Sequence, residues 1–294
     1  MNKLRKAMTL IAYFALLILI ISCPTESDGG PVWLYEGDKL ITEWRLGKID
    51  NLDAAFEWIE GNAVNNQTYR ILLGENILQK ARLIDNSSVN NRTGITIILE
   101  GKDKERVITK STGDYLFRVY GGVKFVLGNN ITLNGGGGSV SGGARLEMRD
   151  GAKITGANVG ISMGNGTFTM NGGEITNNGN LNNPPSVGGV SVGITSSRFE
   201  MNGGLISGNI GKNAGGVEVN YSSSSNKGTF IKTGGIITGY GDDPVNGNRI
   251  VDSNGQVVTN GRGHAVYFLP GQYLNKTVKE NHNVDTGKAD GWVE

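Results

Sequence analysis

A phrase of eleven residues occurs three times in this chain: Gly166-Thr-Phe-Thr-Met-Asn-Gly-Gly-Glu-Ile-Thr176, Ser197-Arg-Phe-Glu-Met-Asn-Gly-Gly-Leu-Ile-Ser207 and Gly228-Thr-Phe-Ile-Lys-Thr-Gly-Gly-Ile-Ile-Thr238. Gly173, Gly204 and Gly235 mark the same point in each copy and lie 31 residues apart. A fixed period of that length is the mark of a body built by stacking one unit on the next. An earlier, degenerate copy runs through Leu146, Met148, Gly151 and Ile154, with one extra residue in its turn. A second set of units is interleaved with the first: Gly188-Gly-Val-Ser-Val192 and Gly215-Gly-Val-Glu-Val219, with Gly121-Gly-Val-Lys-Phe125 as a looser member. Gly263-His-Ala-Val-Tyr267 closes the series, with Ala265 as the counterpart of Val217. That last interval is 48 residues, against 27 from Val190 to Val217, so an insertion from Tyr240 to Arg262 swells the final period.

Each period holds three short extended pieces, Val190/Val192, Phe199/Met201 and Ile206, each too short to bury a face alone. Nothing helical alternates with them to build a conventional parallel sheet. If each period closes one turn, equivalent residues stack ~4.8 Å apart, with Phe168, Phe199 and Phe230 forming an interior column. Met170 and Met201 then point inward two residues on, and Lys232 is expected to break that second column by reaching solvent at the far end. Paired glycines suit corners that need positive φ or admit no side chain. Asn177, Asn178, Asn202 and Asn209 suit bridging of turn backbone. The expected class is all-β, a parallel β-helix.

The segment before the repeats is different. Asp50 or Asn51 caps a helix in which Leu52, Ala55, Phe56, Ile59 and Ala63 share one face. That face is expected to lie over the first coil as a capping α-helix, because an open solenoid end must be shielded. Trp33, Tyr35 and Trp44 beside it are expected to fill the interface between cap and first coil, with a sugar-stacking platform as the competing use. Strand patterns follow at Ile77–Leu83, Ile95–Leu99, Arg106–Thr109 and Tyr115–Tyr120. The divisions are 32–112 for the cap and first coils, 113–270 for the repeat body and 271–294 for a polar tail.

The address is expected from the first 31 residues. Lys3, Arg5 and Lys6 precede an apolar run from Ala7 to Ile21, shorter than a bilayer-spanning helix, so 1–22 reads as a signal peptide. Ile20-Ile21-Ser22-Cys23 resembles a bacterial lipobox, which makes the chain's one cysteine the lipidation site, with 23–31 as a short tether. Removing three basic residues from the 28 leaves 25 against 27 acidic, a charge too near zero to attract nucleic acid. One cysteine and two histidines exclude a disulfide framework and a His-rich metal site.

The Phe-x-Met-Asn-Gly-Gly and Gly-Gly-Val-x-Val units resemble those of pectin-lyase-like right-handed parallel β-helix proteins, and more narrowly bacterial surface lipoproteins with a lipobox and a Gly-His-Ala-Val-Tyr closing segment. The likeness runs from about Leu52 to the C-terminus. It implies the fold, its right hand and export; for function it points both to polysaccharide-degrading enzymes and to adhesins. Gly241-Asp242-Asp243, followed by His264, is similar in part to the acid pair and histidine of polygalacturonase-like glycosidases. Two such carboxylates activate water and protonate a leaving oxygen. The Asn-Thr-Asp and Arg-Ile-Lys segments of that family are absent, and Ala265 replaces its second glycine. Asp242, Asp243 and His264 therefore stand as weak catalytic candidates beside the plainer reading of an exposed turn and a capping-strand histidine. Acids within the coils, such as Glu147, Asp150, Glu174, Glu200 and Glu218, are isolated in sequence, which argues against calcium-assisted lyase chemistry. The overall expectation is a monomeric, non-enzymatic, lipid-anchored envelope protein at the outer membrane or cell surface. It serves as an adhesive or structural module contacting glycans or host matrix proteins, without cofactor, metal or nucleic acid. The rival expectation is a carbohydrate-active hydrolase or lyase.

Overall fold

The computed structural model describes residues 31–41, 43–44, 47–85, 88–89, 91–223, 226–261, 263–269 and 279–280. The expected leader, Cys23, the expected tether before Pro31 and nearly all of the tail lie outside them. The described chain is predominantly β, with one helix. Its strands form a nine-stranded and a thirteen-stranded sheet, in both of which consecutive passes of the chain lie parallel.

Seven passes build this body. On the first sheet they contribute Thr68–Leu73, Thr96–Gly101, Lys124–Leu127, Ala144–Met148, Gly166–Met170, Arg198–Met201 and Thr229–Lys232, each paired with the one before. The hairpin Val32–Glu36 and Lys39–Ile41 closes the near edge antiparallel. The second sheet divides about Arg106–Val119, a fourteen-residue strand that carries one run of short strands on its first half and another on its second. The two expected pieces 106–109 and 115–120 thus fall in one continuous strand, which ends at Val119, one residue short of the second, and crosses the 112/113 division. Each later pass therefore lays down three short strands, as the spacing of apolar residues implied.

The register turns the repeat into columns. Tyr69, Ile97, Phe125, Leu146, Phe168, Phe199 and Phe230 are direct partners down the first sheet, and all are buried. The last three rings stack with centroids 4.9 Å apart and interplanar angles of 10° and 17°. A second column runs Ile71, Leu99, Leu127, Met148, Met170, Met201, Lys232. On the second sheet Ile108, Leu133, Ile154, Ile175, Ile206 and Ile237 make a third. Burial of these columns is the main drive to fold, at ~25 cal/mol per Å² of apolar surface.

In the three copies of the eleven-residue phrase the two glycines of the pair differ in conformation, only the second having positive φ. A Cβ at Gly203 would sit 2.3 Å from the Asn171 carbonyl oxygen of the preceding pass, so backbone approach alone excludes a side chain. Gly204 instead holds φ +85°, which a side chain opposes.

The helix Leu52–Asn62 is capped by Asn51, whose Oδ1 accepts the Ala54 amide at 2.8 Å. Leu52, Ala55, Phe56, Trp58 and Ile59 are buried, and the Phe56 ring lies 6.1 Å from Phe117 and 6.4 Å from Phe125. Arg82, in register with inward Phe117, turns its guanidinium to Asp53 (3.1 Å) and Glu60 (2.7 Å) of the helix.

Three expectations are corrected. Lys232 does not reach solvent: it is 2% exposed, and its ammonium donates to the Gly235 carbonyl at 2.8 Å. The counterpart carbonyls of Gly173 and Gly204 accept amides from Leu205 and Ile236 of the following pass. At the last pass the lysine head serves that carbonyl, while its stem continues the methionine column. The closing segment is also shifted by one residue, because Val217 pairs with Val266 and not with Ala265. His264 thus stands where Gly215 stands, at a corner and not in a strand. Finally, Val32 and Leu34 face the core, so the alternating Trp33 and Tyr35 lie on the outer side of the sheet and do not fill the cap interface. The side chain of Trp44 lies outside the described residues.

Candidate functional site

The corner where the chain passes between the two halves of the second sheet is where the passes differ most. It is crossed by residues 135–136, then 156–160, then 177–189, then 208–216, and last by 238–265. The long crossings form a lateral lobe with bonding of its own: Ile210–Gly211 pairs with Arg249–Ile250, and Val187 bridges to Ala214.

A buried asparagine ladder anchors that corner. Asn178, Asn209 and Asn248 are each fully buried. Asn178 Oδ1 accepts the Ala157 amide at 3.0 Å, Asn209 Oδ1 accepts the Asn178 amide at 3.0 Å, and Asn248 Oδ1 accepts the Asn209 amide at 3.0 Å. Their Nδ2 groups donate to the carbonyls of Ile154, Ile175 and Ile206, the inward column of the neighbouring strands. Every amide is satisfied, so burial costs little and the corner is rigid. The expectation for Asn178 and Asn209 holds. Asn248 escaped the reading because the insertion places it 39 residues after Asn209 in place of 31, though Gly247-Asn248 repeats Gly208-Asn209. Asn202 forms a separate, exposed ladder between Asn171 and Thr233.

The catalytic candidates are occupied structurally. Asp243 Oδ1 accepts the amides of Val245 (3.1 Å) and Asn246 (2.8 Å), and Oδ2 accepts the Asn246 side chain at 3.2 Å. Those bonds, the Asn246 amide foremost, hold its carboxyl below the usual range. Asp242 adjoins it in the same turn. His264 is fully buried: Nδ1 accepts the Ile250 amide at 3.2 Å, Nε2 lies 3.1 Å from the Val258 carbonyl, and the ring stacks on Tyr240 at 5.2 Å. This pattern defines the neutral Nε2–H tautomer, and burial depresses its pKa. The plainer sequence reading placed His264 at a capping strand; instead it sits at a corner and pins the insertion to the body.

The aromatic platform is likewise engaged. Lys102 Nζ lies 3.8 Å from the Trp33 ring centroid, and the ring packs against Gly74 so closely that a Cβ there would sit 2.5 Å away. The outer face of the first sheet carries ion pairs: Lys124 (2.5 Å) and Arg149 (2.6 Å) converge on Glu147. Burial raises the Glu147 pKa, and these two cations more than offset it, leaving the carboxyl below its usual range. Among the described residues no group of three or more His, Cys, Asp or Glu is arranged to hold a metal ion.

Two grooves remain. One, of about 530 Å³, is lined by Glu105, Asp150, Lys153 and Glu174, among others. Its charges are largely satisfied internally, since Lys153 pairs with Glu174 at 3.1 Å and Glu105 accepts the Thr132 hydroxyl at 2.5 Å. The other, of about 520 Å³, runs beside the asparagine ladder, where the lobe rises above the short corners. Lys110, Gly135, Gly156, Asn158, Leu181 and Asn182 are among its lining residues. Compared with protein-family models, curated proteins and solved structures, the chain matches none of them.

Proposed function

We propose that this chain is an exported, lipid-anchored protein of the cell envelope, held at the outer membrane or cell surface through Cys23. Its body is read as a right-handed parallel β-helix of the pectin-lyase-like kind, acting without catalysis as an adhesive or display module. The parallel three-strand passes support the helix, and the right hand is the one that parallel connections almost always take. The observation that carries the functional reading is the lobe. The strands keep register through the later passes while one corner lengthens, which is how a rigid scaffold carries a contact surface. The engagement of Asp243 and His264 in backbone hydrogen bonds favours this reading over hydrolysis.

The test uses cells with and without the protein, applied to arrayed glycans and matrix proteins. Expected is retention that depends on the protein and is lost in Cys23→Ala, which should shift the chain to the aqueous fraction. Equal retention of both cell types, or hydrolysis of an arrayed polysaccharide by the purified protein, would overturn the reading.

A further inference from the structure

We propose that the groove beside the asparagine ladder binds an elongated, uncharged glycan of about the size of a tetrasaccharide. The proposal deepens the surface-module reading and rests on it.

The groove crosses five consecutive passes, from Lys110 through Gly135, Gly156 and Gly179 to Ile210. Four intervals of ~4.8 Å make it nearly 20 Å long, so its occupant is elongated and lies along the stack. Its floor is backbone. Gly135, Gly156 and Gly179 hold φ of +78°, +67° and +98°, and none presents a side chain to the ligand. The floor is also fixed in advance: Gly135 donates to Thr155, Gly156 to Asn177, Gly179 to Ala157, and Ala157 to the buried Asn178. A binding surface that needs no ordering loses less entropy on contact.

The same bonds decide against an extended peptide. Strand addition needs a row of free amides and carbonyls, and these floor amides already bond between passes. What the groove offers is side-chain amides. Asn158 and Asn182 are exposed and make no side-chain hydrogen bond among the described residues, and each provides two donors and an acceptor suited to neighbouring hydroxyls. Leu181, 46% exposed, and Ile210 form an apolar wall for the carbon–hydrogen face of a sugar ring. The lining holds no carboxylate and a single cation, Lys110, so charge does not define the ligand. The wall is buttressed by the insertion, where a Cβ on Gly255 would lie 2.6 Å from the Leu181 carbonyl oxygen.

The experiment titrates the full-length lipidated protein, held in a non-glycosidic detergent, with cellotetraose, maltotetraose, chitotetraose and their disaccharides by calorimetry. One tetrasaccharide is expected to bind at least tenfold more tightly than its disaccharide. The double variant Asn158→Ala/Asn182→Ala should weaken it at least tenfold at unchanged melting temperature, while Lys110→Gln changes it less than threefold. Leu181→Trp, which fills the groove, should abolish binding. No binding of any tetrasaccharide at millimolar concentration, or binding that the double variant and Leu181→Trp leave intact, overturns the groove. Cell retention on the arrays that survives in the double variant also overturns the groove as the contact site but keeps the module reading. Calorimetric binding without cell retention keeps the groove and removes that reading.

Discussion

The two ends of the core are closed by different means. At the N-terminal end Arg82 stands in an inward register position, and its guanidinium reaches two carboxylates on a separate helix while lying 5.0 Å over the Phe56 ring. At the C-terminal end Lys232 stands in an inward register position and serves a carbonyl three residues away in its own pass. Both exploit a long aliphatic stem that continues a hydrophobic column and a charged head that meets fixed oxygen. The N-terminal solution needs an added element with its own capping and packing. Among the described residues, the C-terminal one shows a single substitution, Lys for Met, at the last strand of the first sheet. At that strand the lysine ammonium meets the carbonyl whose counterparts in the two preceding passes accept an amide from the following pass.

Several substitutions test that comparison, the harshest first. Ile59→Asp puts a charge beneath the helix at a fully buried position and should cost about 5 kcal/mol, read by urea denaturation. A change under 1 kcal/mol would mean that the helix does not close the core. Phe199→Ala, midway between the ends in the ring stack, should cost about 4 kcal/mol and lower the stability of both halves together. Arg82→Met should cost about 2 kcal/mol, since its partners are partly exposed and each such pair contributes little; half a molar salt should shrink the difference. Lys232→Met should change stability by less than about 1 kcal/mol, because the column accepts Met in three preceding passes and the lost cation offsets the orphaned carbonyl. A larger loss at Lys232 than at Arg82 would reverse the ranking of the two closures.

The smallest effect concerns pH at the C-terminal end. The folded state depresses the His264 pKa below 6.5, so the unfolded chain takes up the proton first as pH falls. Stability is therefore full above about 6.5, declines as pH drops below it and levels off beneath the folded value. In His264→Gln that slope should vanish from the melting temperatures, while the loss at lower pH, where Glu147 gives up its two cations, persists. An unchanged slope would show that another group titrates.

What the sequence makes legible follows from what a period records. Phe168, Phe199 and Phe230, the glycine pairs and the lid residues Leu52, Phe56 and Ile59 all repeat or alternate, so their neighbours follow from counting. Counting fails where the period is interrupted. The insertion hides Asn248, and the likeness of Gly263-His-Ala-Val to Gly-Gly-Val-Glu sets the last strand one residue out of place, which puts His264 in the wrong environment. Lys232 and Trp33 fail for another reason: hydropathy reports which residues prefer water, and both meet a local partner, the Gly235 carbonyl and the Lys102 ammonium, that no periodicity encodes. The groove is the least legible of all, because turn lengths create it and no side chain announces it.

The direction of the ladder bonds also governs how the molecule answers mechanical load. The hydrogen bonds that join one pass to the next point along the stack, on every face. Traction along that direction is divided among all the bonds of a layer, so no layer yields until many bonds stretch together. Tension that lifts one end of the outermost strand of the first sheet, Thr229–Lys232, meets the same bonds in sequence and peels them singly. Resistance is therefore anisotropic, high along the stack and low at its outermost edge, and the buried asparagines stiffen the corner on which the lobe would pull.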